Sequence, residues 1–333
     1  MKHNKIISIF LSLTLVFLMA FAGISEAYET PQSSYQTSST RVGDYMYYSV
    51  YNKIYKVNVK TKTSTLVKNV DKGMVYGLVV KDGWIYCTLD AYNGTDNSYP
   101  YVYKVRTNGK DGKVLTKGCF TTIYNDKIYY IKTSFTEGDS EDYPKVVGIY
   151  KMSLSGKSIT CVKKSSSITD FIIYKSNIYY TSLGSSKMYL KRMSLSGKNT
   201  TTIASSSSKW IENLKAYSGY IYFNFGDDIY RVKTDSTSEK KFISNAALKD
   251  INSGYIYYTV EKNDQDYLYK NKIGSSSRTY LLKKDIIGNV EVSNGYMLMD
   301  YCLLNATSSY NTCKYICSTS GKSGKILAKY FLP

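Results

Sequence analysis

Two copies of the segment MSLSGK, at Met152–Lys157 and Met193–Lys198, place lysine after glycine in the order used by phosphate-binding loops. The first copy continues into Ser158 and gives the Gly-Lys-Ser end of that motif. A phosphate loop also requires a glycine at position 151, which is Lys151, and a strand before and a helix after the loop. Neither requirement is met, so the sequence argues against nucleotide binding here.

Histidine chemistry is missing from most of the chain, because the one histidine is His3. Without imidazole there is no Ser-His-Asp or Cys-His nucleophile and no histidine-bound zinc, copper or iron. Tyrosine, lysine and carboxylates remain, but no repeat copy carries a carboxylate at a fixed place. We expect no enzyme and no cofactor. The alternative is a polysaccharide lyase or glycoside hydrolase that works with those groups.

The six cysteines show no CxxC spacing, which disfavours a metal site; they are Cys87, Cys119, Cys161, Cys302, Cys313 and Cys317. Disulfides form in exported proteins. The last three are close in sequence. We expect a disulfide from Cys302 to Cys313 or Cys317 across one hairpin.

The first 27 residues have the order of a signal peptide: the basic start MKHNK, the apolar run Ile6–Gly23 and the small residues around Ala27. We expect cleavage after Ala27, with an uncleaved membrane anchor as the alternative. Residues 28–40 are then a linker or the start of the first blade. The predicted product is secreted or associated with the cell wall, with no transmembrane segment after cleavage.

The formal net charge is +18, from 44 Lys and Arg against 26 Asp and Glu. Such a balance favours an anionic partner such as a wall polymer or acidic glycan. The lysines are spread along the chain, so a solvated coat that protects strand edges is the other interpretation. Export and the absence of a basic aromatic groove argue against nucleic acid.

A glycine-aromatic motif recurs seven times at intervals of about 40 residues. Its copies are GDYMYY (Gly43–Tyr48), DGWIYC (Asp82–Cys87), NDKIYY (Asn125–Tyr130), KSNIYY (Lys175–Tyr180), SGYIYF (Ser218–Phe223), SGYIYY (Ser253–Tyr258) and NGYMLM (Asn294–Met299). A second motif follows each copy; it reads IYKV, VYKV, IYKM, LKRM, IYRV, LYKN and, in degenerate form, YICS.

Each unit reads as four short strands, because β-branched and aromatic runs alternate with Gly, Asn, Asp and Ser turns. No amphipathic helical pattern competes with this reading. A four-stranded sheet cannot bury both faces alone, and radial stacking in a closed ring solves that problem. The sequence predicts an all-β, seven-bladed β-propeller over residues 41–333, with six or eight blades as alternatives. Both MSLSGK copies become turns between third and fourth strands.

The G-Y-I-Y-Y and I-Y-K-V pattern resembles secreted bacterial propellers of the low-density-lipoprotein-receptor-like type, which are largely of unknown function. The resemblance covers about Arg41 to Phe331 and weakens in the seventh unit, where Tyr-Tyr becomes Leu-Met. It implies a non-enzymatic binding or structural propeller on an exported protein, and it offers no catalytic residues. The repeated tyrosines recur in nearly every unit, which favours packing between blades over ligand binding.

Three connections between second and third strands are long, aromatic and mostly acidic, in units two, three and seven. In a closed ring they would lie along one sector of the propeller mouth. We expect a site there for a cationic or sugar-like ligand, with ordinary solvated loops as the alternative. Its candidate residues are Tyr92, Asp96, Tyr99, Phe135, Glu137, Asp139, Glu141, Asp142 and Tyr310.

The sequence-based expectation for function is a secreted binding module, monomeric, that engages a protein or polysaccharide at the cell envelope. Composition and repeats define the architecture and leave the ligand open.

Overall fold

The computed structural model describes residues 41–71, 73–92, 98–135, 144–235, 237–304 and 310–331. These residues form seven four-stranded antiparallel sheets, each built from four consecutive strands. First strands of adjacent sheets contact one another, so they lie nearest the axis. The predicted all-β, seven-bladed β-propeller is confirmed. None of the described segments forms a helix long and apolar enough to span a membrane.

Blades 1 to 4 are each built from four strands that are consecutive in the chain. They are β1 (Arg41–Val42), β2 (Tyr45–Val50), β3 (Lys53–Asn58), β4 (Ser64–Asn69); β5 (Met74–Lys81), β6 (Trp84–Tyr92), β7 (Ser98–Arg106), β8 (Lys113–Lys117); β9 (Cys119–Tyr124), β10 (Lys127–Ser134), β11 (Lys145–Ser153), β12 (Thr160–Lys164); β13 (Ile168–Tyr174), β14 (Asn177–Leu183), β15 (Met188–Ser194) and β16 (Thr201–Ser206).

Blades 5 to 7 repeat this order. Their strands are β17 (Ile211–Tyr217), β18 (Tyr220–Phe225), β19 (Asp228–Lys233), β20 (Lys240–Ile243); β21 (Ala247–Asn252), β22 (Tyr255–Lys262), β23 (Gln265–Lys272), β24 (Arg278–Lys284); β25 (Ile286–Ser293), β26 (Tyr296–Leu304), β27 (Tyr310–Ser318) and β28 (Lys325–Phe331).

Hydrophobic clusters lie between adjacent blades, one at each interface around the ring. The first-motif tyrosines are buried in these interfaces, as the repeat predicts; they are Tyr47, Tyr86, Tyr129, Tyr179, Tyr222 and Tyr257. Burying an aromatic or aliphatic side chain contributes roughly 1.5–3 kcal/mol. No sheet can bury both its faces without neighbours, so each blade depends on the two beside it for its hydrophobic core.

The basic residue of the second motif links each of several blades to the next. Lys104 donates from Nζ to the carbonyl oxygen of Leu154 in blade 3 at 2.9 Å, and its Nζ lies 4.2 Å from the centroid of the Trp84 ring. Lys270 makes the equivalent bond to the Thr319 carbonyl at 2.7 Å. The repeated cation is therefore a structural residue that satisfies turn carbonyls and covers aromatic rings.

The two MSLSGK segments are turns between third and fourth strands, as predicted. In the second copy Gly197 N donates to Ser194 O and Ser194 N donates to Lys198 O, both at 2.9 Å. Gly197 has a φ of +78°. A Cβ built on it would lie 1.9 Å from the carbonyl oxygen of Val162, in the preceding blade. Glycine is required here both by backbone conformation and by the approach of the neighbouring sheet.

Blade 7 departs from the repeat where the ring must close on blade 1. Lys314 occupies the position that is apolar in the other blades, and its Nζ lies 2.6 Å from Asp300 Oδ1. Tyr330 donates to the same oxygen at 2.7 Å, and its ring packs edge-on against Tyr51 of blade 1. Buried ion pairs add little net stability because both charges lose water. Through the Tyr330–Tyr51 contact, this cluster connects blade 7 to blade 1 where the ring closes.

The predicted disulfide is absent, since all six cysteines are free thiols. Cys302 lies opposite Thr312, whereas Cys313 lies opposite Tyr301. Because side chains alternate along a strand, the two thiols point to opposite faces of blade 7. Cys317 pairs with Met297 near the other end of β26, out of reach of Cys302. The expectation of a Cys302 bond to either partner was wrong.

Candidate functional site

The propeller has two chemically different ends. Turns joining first to second and third to fourth strands lie at one end, which we call the turn end. Connections joining second to third strands, and each blade to the next, lie at the other, which we call the loop end. Antiparallel strand order fixes this segregation, so the sequence position of a charged residue decides which end it faces.

Two of the predicted ligand residues come together at the loop end, but they pack on each other. The rings of Tyr99 and Phe135, from blades 2 and 3, stack at 4.5 Å between centroids. Tyr99 is 1% exposed, and Lys117 Nζ lies 4.2 Å from the Phe135 ring centroid. A ligand platform needs an open ring face, so Tyr99 is a packing residue and its assignment to the site is corrected.

The other predicted positions are not tested by the structure. The backbone of Tyr92 ends β6 and that of Tyr310 begins β27. The acidic candidates lie outside the described residues; they are Asp96, Glu137, Asp139, Glu141 and Asp142.

An acidic groove, which the sequence analysis missed, lies at the loop end of blades 5 and 6. It consists of two cavities of about 290 and 700 Å³ that share Glu261 and Asp266. The smaller cavity also has Glu212 and Asp227 in its wall. The larger one, which reaches the start of blade 7, adds Asp264 and Asp285. The groove thus concentrates carboxylates in a strongly basic protein.

Hydrogen bonds hold parts of this groove in place. Asp266 accepts from the backbone N of Ile287 at 2.7 Å through Oδ2. Lys249 donates from Nζ to the Ile287 carbonyl at 2.6 Å. Burial lowers the pKa of Lys249, while the charges of Asp266 and Glu212 act in the opposite direction. This lysine ties the inner strand of blade 6 to blade 7 and offsets part of the negative charge.

Neighbouring carboxylates differ in their partners. Asp228 receives Lys241 Nζ at 2.8 Å and the backbone N of Asn245 at 3.1 Å, and these bonds hold its pKa below the usual value. Adjacent Asp227 lies in the groove wall. In the sequence, Asp227 belongs to the short connection NFGDD, and Glu261 and Asp266 belong to the segment EKNDQD. Neither segment stands out by its length. Loop length, which guided the prediction, directed attention to other blades.

The turn end carries a lysine in every blade, together with some exposed carboxylates, one of which, Asp44, pairs with Lys60 at 2.9 Å. Every blade carries an exposed lysine at or beside its turn between third and fourth strands; these are Lys60, Lys110, Lys157, Lys198, Lys233, Lys272 and Lys322. Four of these turns contain Gly-Lys and share one hydrogen-bond pattern, from the first residue's N to the lysine carbonyl. Their lysines therefore take equivalent positions around the ring.

No protein-family model matches this sequence, and no curated protein does. Solved structures do match. A puromycin hydrolase is similar with a TM-score of 0.67 at 9% identity, over 93% of this chain and 55% of the hydrolase chain. A puromycin-hydrolysing peptidase of Mycobacterium tuberculosis gives 0.66 at 8% identity, over 89% and 53%. The nidogen/laminin complex gives 0.50 at 11%, over 72% of this chain and 93% of the matched chain.

The chain thus spans about half the length of the two peptidase chains. At such identities the similarity shows the fold alone: a seven-bladed β-propeller. Within the described residues no group of three or more His, Cys, Asp or Glu is placed to hold a metal ion.

Proposed function

We propose that this protein is a non-enzymatic binding propeller that works outside the cytoplasm, at the cell envelope, and engages an anionic polysaccharide through its turn end. The observation that supports this most directly is the lysine at each blade's turn, which gives a ring of exposed positive charge. The signal-like first 27 residues support the location. The resemblance to secreted propellers of the low-density-lipoprotein-receptor-like type agrees with a binding role.

The fixed backbone positions of these lysines favour a binding role over a solvated coat. The turns at Lys157 and Lys198 have the same sequence and the same backbone hydrogen bonds, and the glycine before each is held against the preceding blade. A polyanion that crosses the turn end can therefore meet several cations whose spacing is set by the blades. Exposed charges act over about a Debye length, so the binding will weaken with salt.

The test is retention on immobilised polygalacturonate at low salt, with dextran as the neutral control. Reversing four turn-end charges (Lys110→Glu, Lys157→Glu, Lys198→Glu, Lys322→Glu) should weaken binding by about tenfold or more. The matched control reverses four exposed loop-end lysines with the same change in net charge (Lys53→Glu, Lys164→Glu, Lys187→Glu, Lys329→Glu). Equal losses in both variants would reduce the effect to net charge and overturn the assignment of the turn end.

The same incubations decide between binding and catalysis. A lyase or hydrolase would release unsaturated or reducing chain ends from the polysaccharides over time. We expect intact polymers, because the only imidazole is at His3 and the repeat offers no fixed pair of carboxylates. Steady product release by purified protein would contradict the non-enzymatic role.

A further inference from the structure

Blade 1 has a much shorter inner strand than the other blades. β1 covers Arg41–Val42 and pairs only with Met46 and Tyr45 of β2, whereas the first strands of blades 2 to 7 have six to eight residues. From Tyr47 to Val50, β2 has no pairing partner on its inner side among the described residues. β2 itself contacts β5 of blade 2, a contact that the later blades make between their first strands. The inner edge of β2 therefore faces the axis of the ring.

The backbone groups on this inner edge belong to Tyr47 and Ser49. Tyr45 closes a two-residue turn with Val42, so its backbone hydrogen bonds go to β1. The direction of these bonds alternates along an antiparallel strand, so the N–H and C=O groups of Tyr47 and Ser49 also point inward. Both residues are buried, with 6% and 3% of their surface exposed. Because buried backbone groups are almost always paired, this edge requires a partner strand.

The side-chain hydroxyl of Ser49 also has no hydrogen-bond partner in the described part of the chain. Ser49 directly follows the first motif, at a position where blades 4 and 5 also have a polar side chain. In blade 4, Thr181 Oγ1 lies 2.7 Å from Thr169 Oγ1 of β13. In blade 5, Asn224 Oδ1 accepts a hydrogen bond from Asn213 Nδ2 of β17 at 3.2 Å. A polar side chain at this position therefore bonds to the inner strand of its own blade.

We propose that residues 36–40 complete the inner strand of blade 1 by pairing antiparallel with β2. This segment lies outside the described residues and directly precedes Arg41. Extending the observed register brings Thr40 opposite Tyr47, where the two backbones would exchange both of their hydrogen bonds. A strand over residues 36–42 would be as long as β13, which has seven residues.

The side chains of this segment match the polar positions of the other inner strands. Its last four residues, Thr-Ser-Ser-Thr, all carry hydroxyl groups. Counting back from the turn between first and second strands, Thr37 takes the place of Thr169 in blade 4. By the same count, Ser38 takes the place of Asn213 in blade 5. Both positions thus offer a hydroxyl to Ser49, as buried polar groups require.

The chain's own segment suits this edge better than a strand of another molecule. β1 already sets its direction and register at Arg41, so pairing requires no association step and costs only the ordering of a few residues. First strands run from the loop end to the turn end. The chain before residue 36 would therefore leave the propeller at the loop end, opposite the lysines that we propose bind the polysaccharide.

The test compares hydrogen exchange and thermal unfolding of the parent protein and two proline variants. In the parent, the amides of Tyr47 and Ser49 should exchange as slowly as the paired amides of β18 in blade 5. Thr40→Pro removes the N–H that would bond to the Tyr47 carbonyl. It should speed exchange at both amides about tenfold or more and lower the midpoint of thermal unfolding by about 5 °C or more. Ser34→Pro, outside the proposed strand, is the matched control and should change neither quantity.

A double-mutant cycle tests the hydroxyl contact. Ser49→Ala and the pair Thr37→Val with Ser38→Ala should each lower the midpoint. Combined, they should lower it by less than the sum, because both changes remove the same hydrogen bond. Fully additive effects would overturn the assignment of Ser49 to this partner.

Three further results would overturn the proposed strand. One is rapid exchange of the Tyr47 and Ser49 amides in the parent, which decides the question even if Thr40→Pro does not fold. Another is equal exchange and equal midpoints for Thr40→Pro and Ser34→Pro. The third is protection of the two amides that increases with protein concentration, which would assign the edge to a strand from a second copy of the chain.

Discussion

Substituting one turn glycine tests the packing of blades against each other. In Gly197→Ala, the left-handed backbone conformation costs about 1–2 kcal/mol. The new methyl group would also lie 1.9 Å from the Val162 carbonyl oxygen, so blades 3 and 4 must separate locally. Overpacking of this kind costs about 1–3 kcal/mol. The free energy of unfolding should therefore fall by about 2–5 kcal/mol in total.

Gly274→Ala is the matched control, because Gly274 lies in the corresponding turn of blade 6 with a φ of +93°. A Cβ there meets nothing within 4 Å, so only the conformational cost of about 1–2 kcal/mol applies. Gly156→Ala should fall between the two. Its methyl group would meet the Leu115 side chain at 3.0 Å, and a side chain can move more readily than a backbone carbonyl.

Urea unfolding followed by circular dichroism measures these differences, with the m-value serving to show that the unfolded states are comparable. The expected order of destabilisation is Gly197→Ala, then Gly156→Ala, then Gly274→Ala. If Gly197→Ala and Gly274→Ala lose the same stability, the close approach of blade 3 contributes nothing and the reasoning about the interface fails.

Two further predictions concern the repeated lysines and tyrosines. Lys104→Met should lower the free energy of unfolding by about 1–3 kcal/mol through loss of its hydrogen bond to the Leu154 carbonyl and its ring contacts. The exposed control, Lys110→Met, should change it by less than about 0.5 kcal/mol. An equal effect of both substitutions in urea unfolding would refute the link between blades. Burial raises the pKa of Tyr48, Tyr103 and Tyr130 to about 12. Since the folded values exceed the unfolded value, their contribution is complete below pH about 10 and lost as pH rises towards about 12. Exposed tyrosines such as Tyr280 contribute their own absorbance change, so the measurement is the difference in phenolate absorbance between the parent and Tyr130→Phe, which should appear together with loss of strand signal. A difference that appears near pH 10 with the strands intact would contradict that burial.

The blade architecture was accessible from the sequence because it is a local pattern repeated seven times. Tyr47 and its counterparts were assigned to packing on recurrence alone, and the structure buries them. The same reasoning found the MSLSGK turns. It failed for Cys302, Cys313 and Cys317, because proximity in sequence does not reveal which face of a strand a side chain takes. A one-residue difference in register separates two thiols completely.

The acidic groove shows a second limit of prediction from the sequence. Glu261 and Asp266 are only a few residues apart, yet Asp227 and Asp285 belong to other connections, and nothing in the sequence says that these connections meet. The prediction relied on loop length and chose blades 2, 3 and 7. There, the described aromatic pair of Tyr99 and Phe135 is occupied with its own packing.

By itself the sequence determined the four-stranded unit and the turns within it, because strand and turn preferences act over a few residues and repeat; it predicted seven blades and left six or eight open. Tertiary structure decided which neighbouring groups two identical segments contact. Gly156 and Gly197 stand in the same hexapeptide, but one faces a movable leucine side chain and the other a fixed carbonyl oxygen. It also decided where negative charge collects, since closing the ring brings the acidic connections of blades 5 and 6 together at the loop end.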